Sequence, residues 1–409
     1  VTTNLQKSSR SCLEARSRSN TASQPRGYLT VLAKPVSKCN LRCAFCYQSL
    51  NNADRMGVMP RSVMHKLTDR INEHSGSDVS LQWIGGETLL PGIGFFSEAE
   101  ERVTSKTVDY AIQTNGTLFT NDWIEFFSKR SNYQLSISFE VFSHLQNGIR
   151  VGRGRFKDSY SILTEALSAL NTAEIDYGIL TVVEAETIQI DPAEWLDKVI
   201  SHGIRRIGLQ LSYDQVYSGD LTIVQRYLEW LDGLFTAQAT HNQLVEDPRK
   251  RLLIRESFYL YNMITRPQRA VSCCHHTESP CTDYMVTVDQ QGIAYAHCDS
   301  FMGVRSAEGT GYRSGSIMQN SFEELIASEL AQTIREQLAA GRKKCEGCSY
   351  FNLCKGGCGF FKGRGGNRID LGFGDDIDAY CAIKIGLFSF VIDAEKRRTV
   401  LSANTCFAN

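Results

Sequence analysis

The sequence predicts an α/β protein in which βα units build a parallel sheet curled into a full or partial barrel, followed by a small Cys-rich α+β region. Three observations predict it. Six apolar, β-branched runs between residues 28 and 211 are each followed by a helix or a helix-sized interval, the pattern of a parallel sheet with right-handed crossovers. The Cys-, Gly- and Asn-bearing segments fall at the C-terminal ends of these runs, where such folds carry their functional loops. From Cys273 onward the apolar pattern breaks into short pieces among cysteines and glycines, and bound metal can supply the stability a broken core lacks.

Residues 28–36 (YLTVLAKPV) form the first strand, ended by Pro35, and deliver a cysteine-bearing loop. Pro60 opens a helix through about His74, with Val63, Leu67 and Ile71 on one face. Residues 78–84 (DVSLQWI) read as a strand ending in Gly85, Gly86 and Glu87, and a helix follows near 93–104. The strand at 108–113 ends in Thr114, Asn115 and Gly116, and Asn121 is placed to cap a helix at 122–129. Strands at 134–138, 177–183 and 205–211 alternate with helices at about 157–171 and 192–203. Helices near 222–240 and 250–265 bridge to the Cys-rich region, where short strands at 284–288 and 292–296 precede one amphipathic helix at 321–340. The predicted organisation is a flexible polar arm (1–26), a barrel domain (27–240), bridging helices (241–272), an auxiliary domain (273–385) and a C-terminal segment (386–409).

Composition narrows the class. Hydrophobic residues at 42% and charged residues at 22% describe a soluble globular chain. A formal net charge of -1 recruits neither nucleic acid nor an anionic membrane. No apolar run approaches the roughly 20 residues of a spanning helix, and residues 1–26 lack the apolar core of a secretory signal. Fourteen cysteines in a large chain, grouped at metal-site spacings, point to a reducing compartment and a cytoplasmic location rather than to disulfides. Cys12 and Cys406 stand outside both groups and read as free thiols.

The first group is CNLRCAFCY, with Cys39, Cys43 and Cys46 at CxxxCxxC spacing. A structural zinc site takes four protein ligands. Three thiolates suit a [4Fe-4S] cluster with one iron left open to bind and reduce something. With Phe45 before the last Cys, and GGE and TNG at the next strand ends, the first half resembles a radical S-adenosylmethionine (SAM) enzyme, implying a partial (β/α)6 TIM-like barrel. The resemblance implies that the open iron chelates SAM. An electron from the cluster then cleaves the C5′–S bond and releases a 5′-deoxyadenosyl radical. It places Gly85 and Gly86 close to the ligand and Glu87 as acceptor for the SAM ammonium. Thr88 stands where the family usually has Pro. Ser138 and Arg150, twelve positions apart, match the pair that binds the SAM carboxylate in the peptide-modifying branch, although SFEVF replaces the usual SLDGP. Asn115 and Leu209 are placed near the ribose and adenine.

The second group, Cys345, Cys348, Cys354 and Cys358 followed by Cys381, with Cys281, Gly292 and Cys298 upstream, resembles the SPASM extension of peptide and protein maturases. By that resemblance two auxiliary [4Fe-4S] clusters are implied. One uses Cys274, Cys281, Cys298 and Cys358, with Cys273 competing with Cys274; the other uses Cys345, Cys348, Cys354 and Cys381. Five residues separate Gly292 from Cys298, where four are usual. Asp299 matches a position proposed to take a proton from substrate; its alternative is a carboxylate capping backbone N–H groups. The expected function is a SPASM-type maturase of a ribosomally made peptide. It would install a C–C (cyclophane-type) or thioether cross-link, with formylglycine formation in a sulfatase as the alternative. Implied partners are a precursor peptide or protein substrate and a reducing partner such as flavodoxin or ferredoxin, with no nucleic acid and no membrane. The competing classes are an iron-sulfur electron carrier without turnover and a zinc-stabilised module, for which His275, His276 and His297 would be further ligands unless they lie at the surface.

Overall fold

A computed structural model describes residues 28–46, 57–152, 154–212, 220–266, 281–299, 305–306, 312–343, 345–358, 364–365, 368–369 and 379–404. Cys12, Cys273, Cys274, His275, His276 and Cys406 lie outside the described residues. The six predicted strands are present as β1 (Leu29–Val36), β3 (Asp78–Gly85), β4 (Thr107–Thr114), β5 (Tyr133–Ser138), β7 (Tyr177–Val183) and β8 (Arg206–Leu211), each pair of neighbours parallel. Two short strands, β2 (Leu41–Cys43) and β6 (Arg150–Gly152), form a separate antiparallel pair. The crossovers carry α1 (Arg61–Glu73), α2 (Ile93–Arg102), α3 (Asn121–Ser128), α4 (Ser143–Ile149), α5 (Ser159–Thr172) and α6 (Pro192–Ser201). Asn121 is the first helical residue of α3 rather than its cap; Thr120 holds the cap position, with no side-chain capping bond.

Alternation along the strands divides the sheet into two faces. Leu29, Val31 and Ala33, Leu81 and Trp83, Tyr110 and Ile112, and Leu135 and Ile137 join one continuous core with the helices. Trp83 meets Phe95 and Phe96 of α2 edge to face, with ring centroids at 5.6 and 5.5 Å, a favoured aromatic geometry. The intervening residues, among them Lys34, Gln82, Gln113, Ser136, Ser138 and Gln210, point to the opposite side. That face is mostly polar, and Gln113 Nε2 donates to Ser138 Oγ across it at 3.0 Å.

The sheet does not stop at the barrel strands. After α7 (Leu221–Leu244), a two-residue strand β9 (Leu253–Ile254) joins β8, and α8 (Arg255–Thr265) follows. The predicted helix at 250–265 is therefore shorter, because its first residues extend the sheet. At the other edge β10 (Met285–Val288) runs parallel to β1, with Ala33 opposite Val288. β11 (Ile293–Tyr295) and the short strand Gly315–Ser316 continue antiparallel. The chain beyond the barrel thus hydrogen-bonds directly to the strand that delivers the first cysteines. The predicted helix at 321–340 is two helices, α9 (Phe322–Ile326), which carries a Ser321/Glu324 capping box, and α10 (Glu329–Lys343). Further on, α11 (Phe351–Cys354) sits among the second cysteine group. The final helices, α12 (Ala379–Ile392) and α13 (Ala394–Ala403), pack on α7, where Phe235 meets Phe390 and Asn242 donates to the Ala403 carbonyl at 2.7 Å. Among the described residues no helix is long and apolar enough to cross a membrane.

Candidate active site

The cysteine loop is held by backbone from three strand ends. β2 lies antiparallel to β6 so that Cys43 stands opposite Arg150, and Ala44 N–H donates to Ile149 O at 3.0 Å. Gly86 N–H donates to Val36 O at 3.0 Å and Glu87 N–H to Lys38 O at 2.9 Å. A Cβ on Gly86 would lie 2.1 Å from Lys38 O, and one on Gly85, at φ +139°, would lie 2.5 Å from Val36 O. The glycines therefore serve the approach of this strand end to the loop's own backbone. Gly86→Ala should lower stability by about 1–3 kcal/mol through this backbone overlap and reduce the iron held by the loop. Gly94→Ala, whose nearest neighbour is a flexible guanidinium at 4.0 Å, should leave both thermal unfolding and iron content unchanged.

Glu87 is wholly buried. Its Oε1 accepts from Thr114 Oγ1 at 2.5 Å and Leu89 N–H at 3.0 Å, and Oε2 accepts from Asn115 N–H at 2.8 Å. Burial pushes its carboxyl up from the usual carboxylate range, against those hydrogen bonds. Both oxygens help to fix the TNG turn. Asn115 Nδ2 donates to Cys39 Sγ at 3.5 Å and to Asn40 Oδ1 at 2.9 Å, so its side chain addresses the cysteine loop. Leu209 is a buried core residue. Its N–H donates to Glu256 at 3.1 Å and its carbonyl accepts from Arg255 at 2.6 Å, which seals the β8 edge past the end of β9.

Arg150 is buried with Glu140, a residue to which the sequence gave no role. Nε and Nη2 of Arg150 donate to Glu140 Oε1 at 3.1 and 2.9 Å, and Val182 N–H donates to the same oxygen at 3.1 Å. Nη1 of Arg150 lies 3.9 Å from Cys43 Sγ, and the guanidinium stacks over the Phe45 ring at 4.9 Å. Burial opposes the Arg150 charge, but Glu140 and Cys43 outweigh it, so the group stays protonated. The signal in the sequence was a lone carboxylate inside SFEVF: a charge in an apolar run has a buried partner. Ser138, ending β5, accepts from Gln113.

The thiols respond to this setting. Burial pushes Cys39 up to about 12 and Cys43 upward, the latter opposed by Arg150. Although much of the Cys39 residue is exposed, its sulfur lies under Asn115 and accepts from Leu41 N–H at 3.4 Å. Left to themselves Cys39 and Cys43 keep their protons. With Cys46 they give one loop three sulfurs beside a guanidinium, a donor set that fits a cationic metal centre bearing an anionic ligand.

On the other flank, Lys34 of β1 is buried, and its Nζ lies 3.7 Å from Asp299 Oδ2. Burial lowers the Lys34 pKa, against the pull of Asp299, Asp289 and Cys46. Asp299 is thus ion-paired with a buried cation. Lys34 was visible in VLAKPV as a cation within an apolar run. Ser37 Oγ donates to Gln290 Oε1 at 2.7 Å and ties the β10–β11 turn to the loop.

In the Cys-rich region Cys298 is in hydrogen-bonding contact with Cys281; that contact, burial, and the charges of Cys281, Cys358 and Asp299 all push its thiol up. Cys281 and Cys298 pack against Leu32, Tyr284 and Met285. Cys345 and Cys348 share one tight turn, Cys348 N–H donating to Cys345 O at 2.9 Å, and Cys354 ends α11, its N–H donating to Tyr350 O at 2.9 Å. Cys381 lies in the first turn of α12, beside Tyr380, whose hydroxyl accepts from Cys358 N–H at 3.0 Å. His297 is not at the surface: it is fully buried, with its ring nitrogens 2.8 and 3.1 Å from the Cys298 and Tyr312 carbonyls.

The radical SAM superfamily matches residues 34–191, the span from Lys34 through β7. The chain carries a radical SAM domain. The cysteine-type anaerobic sulfatase-maturating enzyme of Clostridium novyi (strain NT) is 24% identical to it over 358 residues, 81% of this chain and 87% of that protein. Native anSMEcpe, solved with bound AdoMet and the Kp18Cys peptide, superimposes with a TM-score of 0.76 at 22% identity, covering 92% of this chain and 99% of that one. Streptococcus suis SuiB bound to its precursor peptide SuiA gives 0.51 at 16% identity, over 87% and 76%. At these identities the solved structures speak to the fold, and the radical SAM domain with its continuous parallel sheet is that fold. A radical SAM domain works with a [4Fe-4S] cluster and SAM, and the three-thiol loop is the donor set that fits them.

Proposed function

We propose that this radical SAM enzyme is a SPASM-type maturase that oxidises one side chain of a peptide or protein substrate by two electrons. In this reading the later cysteines hold two auxiliary [4Fe-4S] clusters. The observation that supports it best is the position of Asp299. Its carboxylate follows Cys298, pairs with buried Lys34, and through Lys34 adjoins the Cys46 end of the first loop. Cys39, Cys43 and Cys46 would hold the cluster that, with SAM, would supply hydrogen-atom abstraction, and the later cysteines would hold the clusters that would supply an acceptor for the one remaining electron. Asp299 takes the proton that leaves the same substrate. Lys34 holds that carboxylate in place, Arg150 offers its Nη1 edge to a carboxylate of SAM beside Cys43, and Ser138 with Gln113 supplies hydrogen-bonding groups on the polar face of the sheet.

Sulfatase-maturating relatives along most of the chain favour formylglycine formed from a Cys or Ser side chain over the peptide cross-link that the sequence reading ranked first. Anaerobically reconstituted protein, incubated with SAM, dithionite and candidate peptides, should release 5′-deoxyadenosine. Mass spectrometry of the peptide then distinguishes an aldehyde from an intramolecular cross-link. No 5′-deoxyadenosine with or without peptide, or zinc in place of iron in the purified protein, would remove the enzyme reading. Asp299→Ala should leave SAM cleavage intact and lower product formation by roughly 10²–10⁴-fold. Product formed at the normal rate would take Asp299 out of the reaction.

A further inference from the structure

The side chain of Asn115 is oriented by a closed set of hydrogen bonds. Its Oδ1 accepts from Thr117 N–H at 3.0 Å and from Thr117 Oγ1 at 2.7 Å. A backbone N–H can only donate, so the oxygen of the amide has to be on that side and the NH₂ on the other. One N–H then meets Asn40 Oδ1 at 2.9 Å, and Asn40 Nδ2 returns a bond to Thr117 Oγ1 at 2.7 Å. The ring Asn115, Asn40, Thr117 is complete in one direction, and the second N–H of Asn115 is left aimed at Cys39 Sγ, 3.5 Å away. The backbone of the same residue is pinned by buried Glu87. Cys39 also accepts from Leu41 N–H.

We propose that Asn115 is a positioning residue for the SAM-site cluster, donating an N–H···S hydrogen bond to the Cys39 ligand that makes the cluster easier to reduce. Hydrogen bonds to cluster sulfur withdraw charge and favour the more negative, reduced state, and partners behind the ligands tune a metal site strongly. The inference rests on the reading that Cys39, Cys43 and Cys46 hold the cluster, and it moves Asn115 from the cofactor's ribose to the cluster.

Asn115→Asp preserves the shape and the acceptor toward Thr117 but turns the donor facing Cys39 into an acceptor. In the reconstituted full-length protein, the cluster signal that changes on SAM addition identifies the SAM site, and its reduction is followed by EPR-monitored titration. The expected result is a shift of the reduction equilibrium of roughly tenfold toward the oxidised form, about 59 mV for a one-electron couple. SAM affinity, read from the same signal, should stay within about twofold. Thr117→Val, which removes one anchor of the ring, should shift the equilibrium in the same direction by less, and it decides the matter if Asn115→Asp does not load with iron. An unchanged equilibrium overturns the proposal, as does weakened SAM binding at an unchanged equilibrium. Wild-type protein with no SAM-responsive cluster overturns the underlying reading instead.

Discussion

Cys39→Ala should bring SAM cleavage down to the background of cluster-free protein while leaving the chain folded. The sulfur of Cys39 contributes little to the apoprotein: it accepts Leu41 N–H at 3.4 Å and Asn115 Nδ2 at 3.5 Å, and losing such bonds costs about 1 kcal/mol. The loop is fixed mainly by backbone bonds from Gly86, Glu87 and Ala44, which the substitution does not touch. Chemically the loss is near total, because two thiolates cannot hold three irons of a cluster in the ligation such clusters require. Cleavage is measured as 5′-deoxyadenosine released under dithionite, and iron analysis should show one cluster fewer than wild type. Cys345→Ala is the contrasting variant: it should keep SAM cleavage and lose modified product, since its group lies in a different turn. Wild-type cleavage by Cys39→Ala would show that this loop is not where SAM reacts.

The barrel strands were legible because each carries its own signal, an alternating or continuous apolar run closed by a turn. The three-residue strands β2 and β6 carry none. They form because residues more than a hundred positions apart find each other, Cys43 opposite Arg150, and without that pairing the guanidinium has no reason to stand beside a thiol. β10 was recognisable as a strand, but its parallel pairing to β1 across some 250 residues has no local signature. In the site, residue types were readable and partners were not. Glu87 was readable as a carboxylate at a strand end, but not that Thr114 and Asn115 from the next strand end would bond to it. Lys34 and Glu140 were each one charge in an apolar run, a pattern that predicts a buried partner without naming it. The partner depends on which strand lies alongside, which the fold decides.

Arg150→Ala shows the size of such a partnership. Both members of the Arg150–Glu140 pair are nearly inaccessible. Burial pushes the Glu140 carboxyl up, and Arg150 is the main group opposing that shift. Among the described residues Glu140 Oε2 has no hydrogen-bond partner, so without Arg150 the carboxylate is left with the bond from Val182 N–H. Removing one partner of a buried ion pair typically costs about 3–5 kcal/mol, since the other is left charged in a poor solvent. Denaturant unfolding of the apoprotein should therefore show a loss of that order for Arg150→Ala, and a comparable one for Glu140→Ala. The double variant should lose far less than the sum, because the penalty in each single variant belongs to the partner left behind. SAM cleavage follows a different rule. It should be lost in Arg150→Ala and in the double variant alike, because both lack the guanidinium between Cys43 and Phe45, and Arg150→Lys should not restore it, since a point charge cannot make the forked contacts. Additive stability losses would mean that the two groups do not depend on each other. Recovery of cleavage in the double variant would mean that Arg150 serves the fold and not the cofactor.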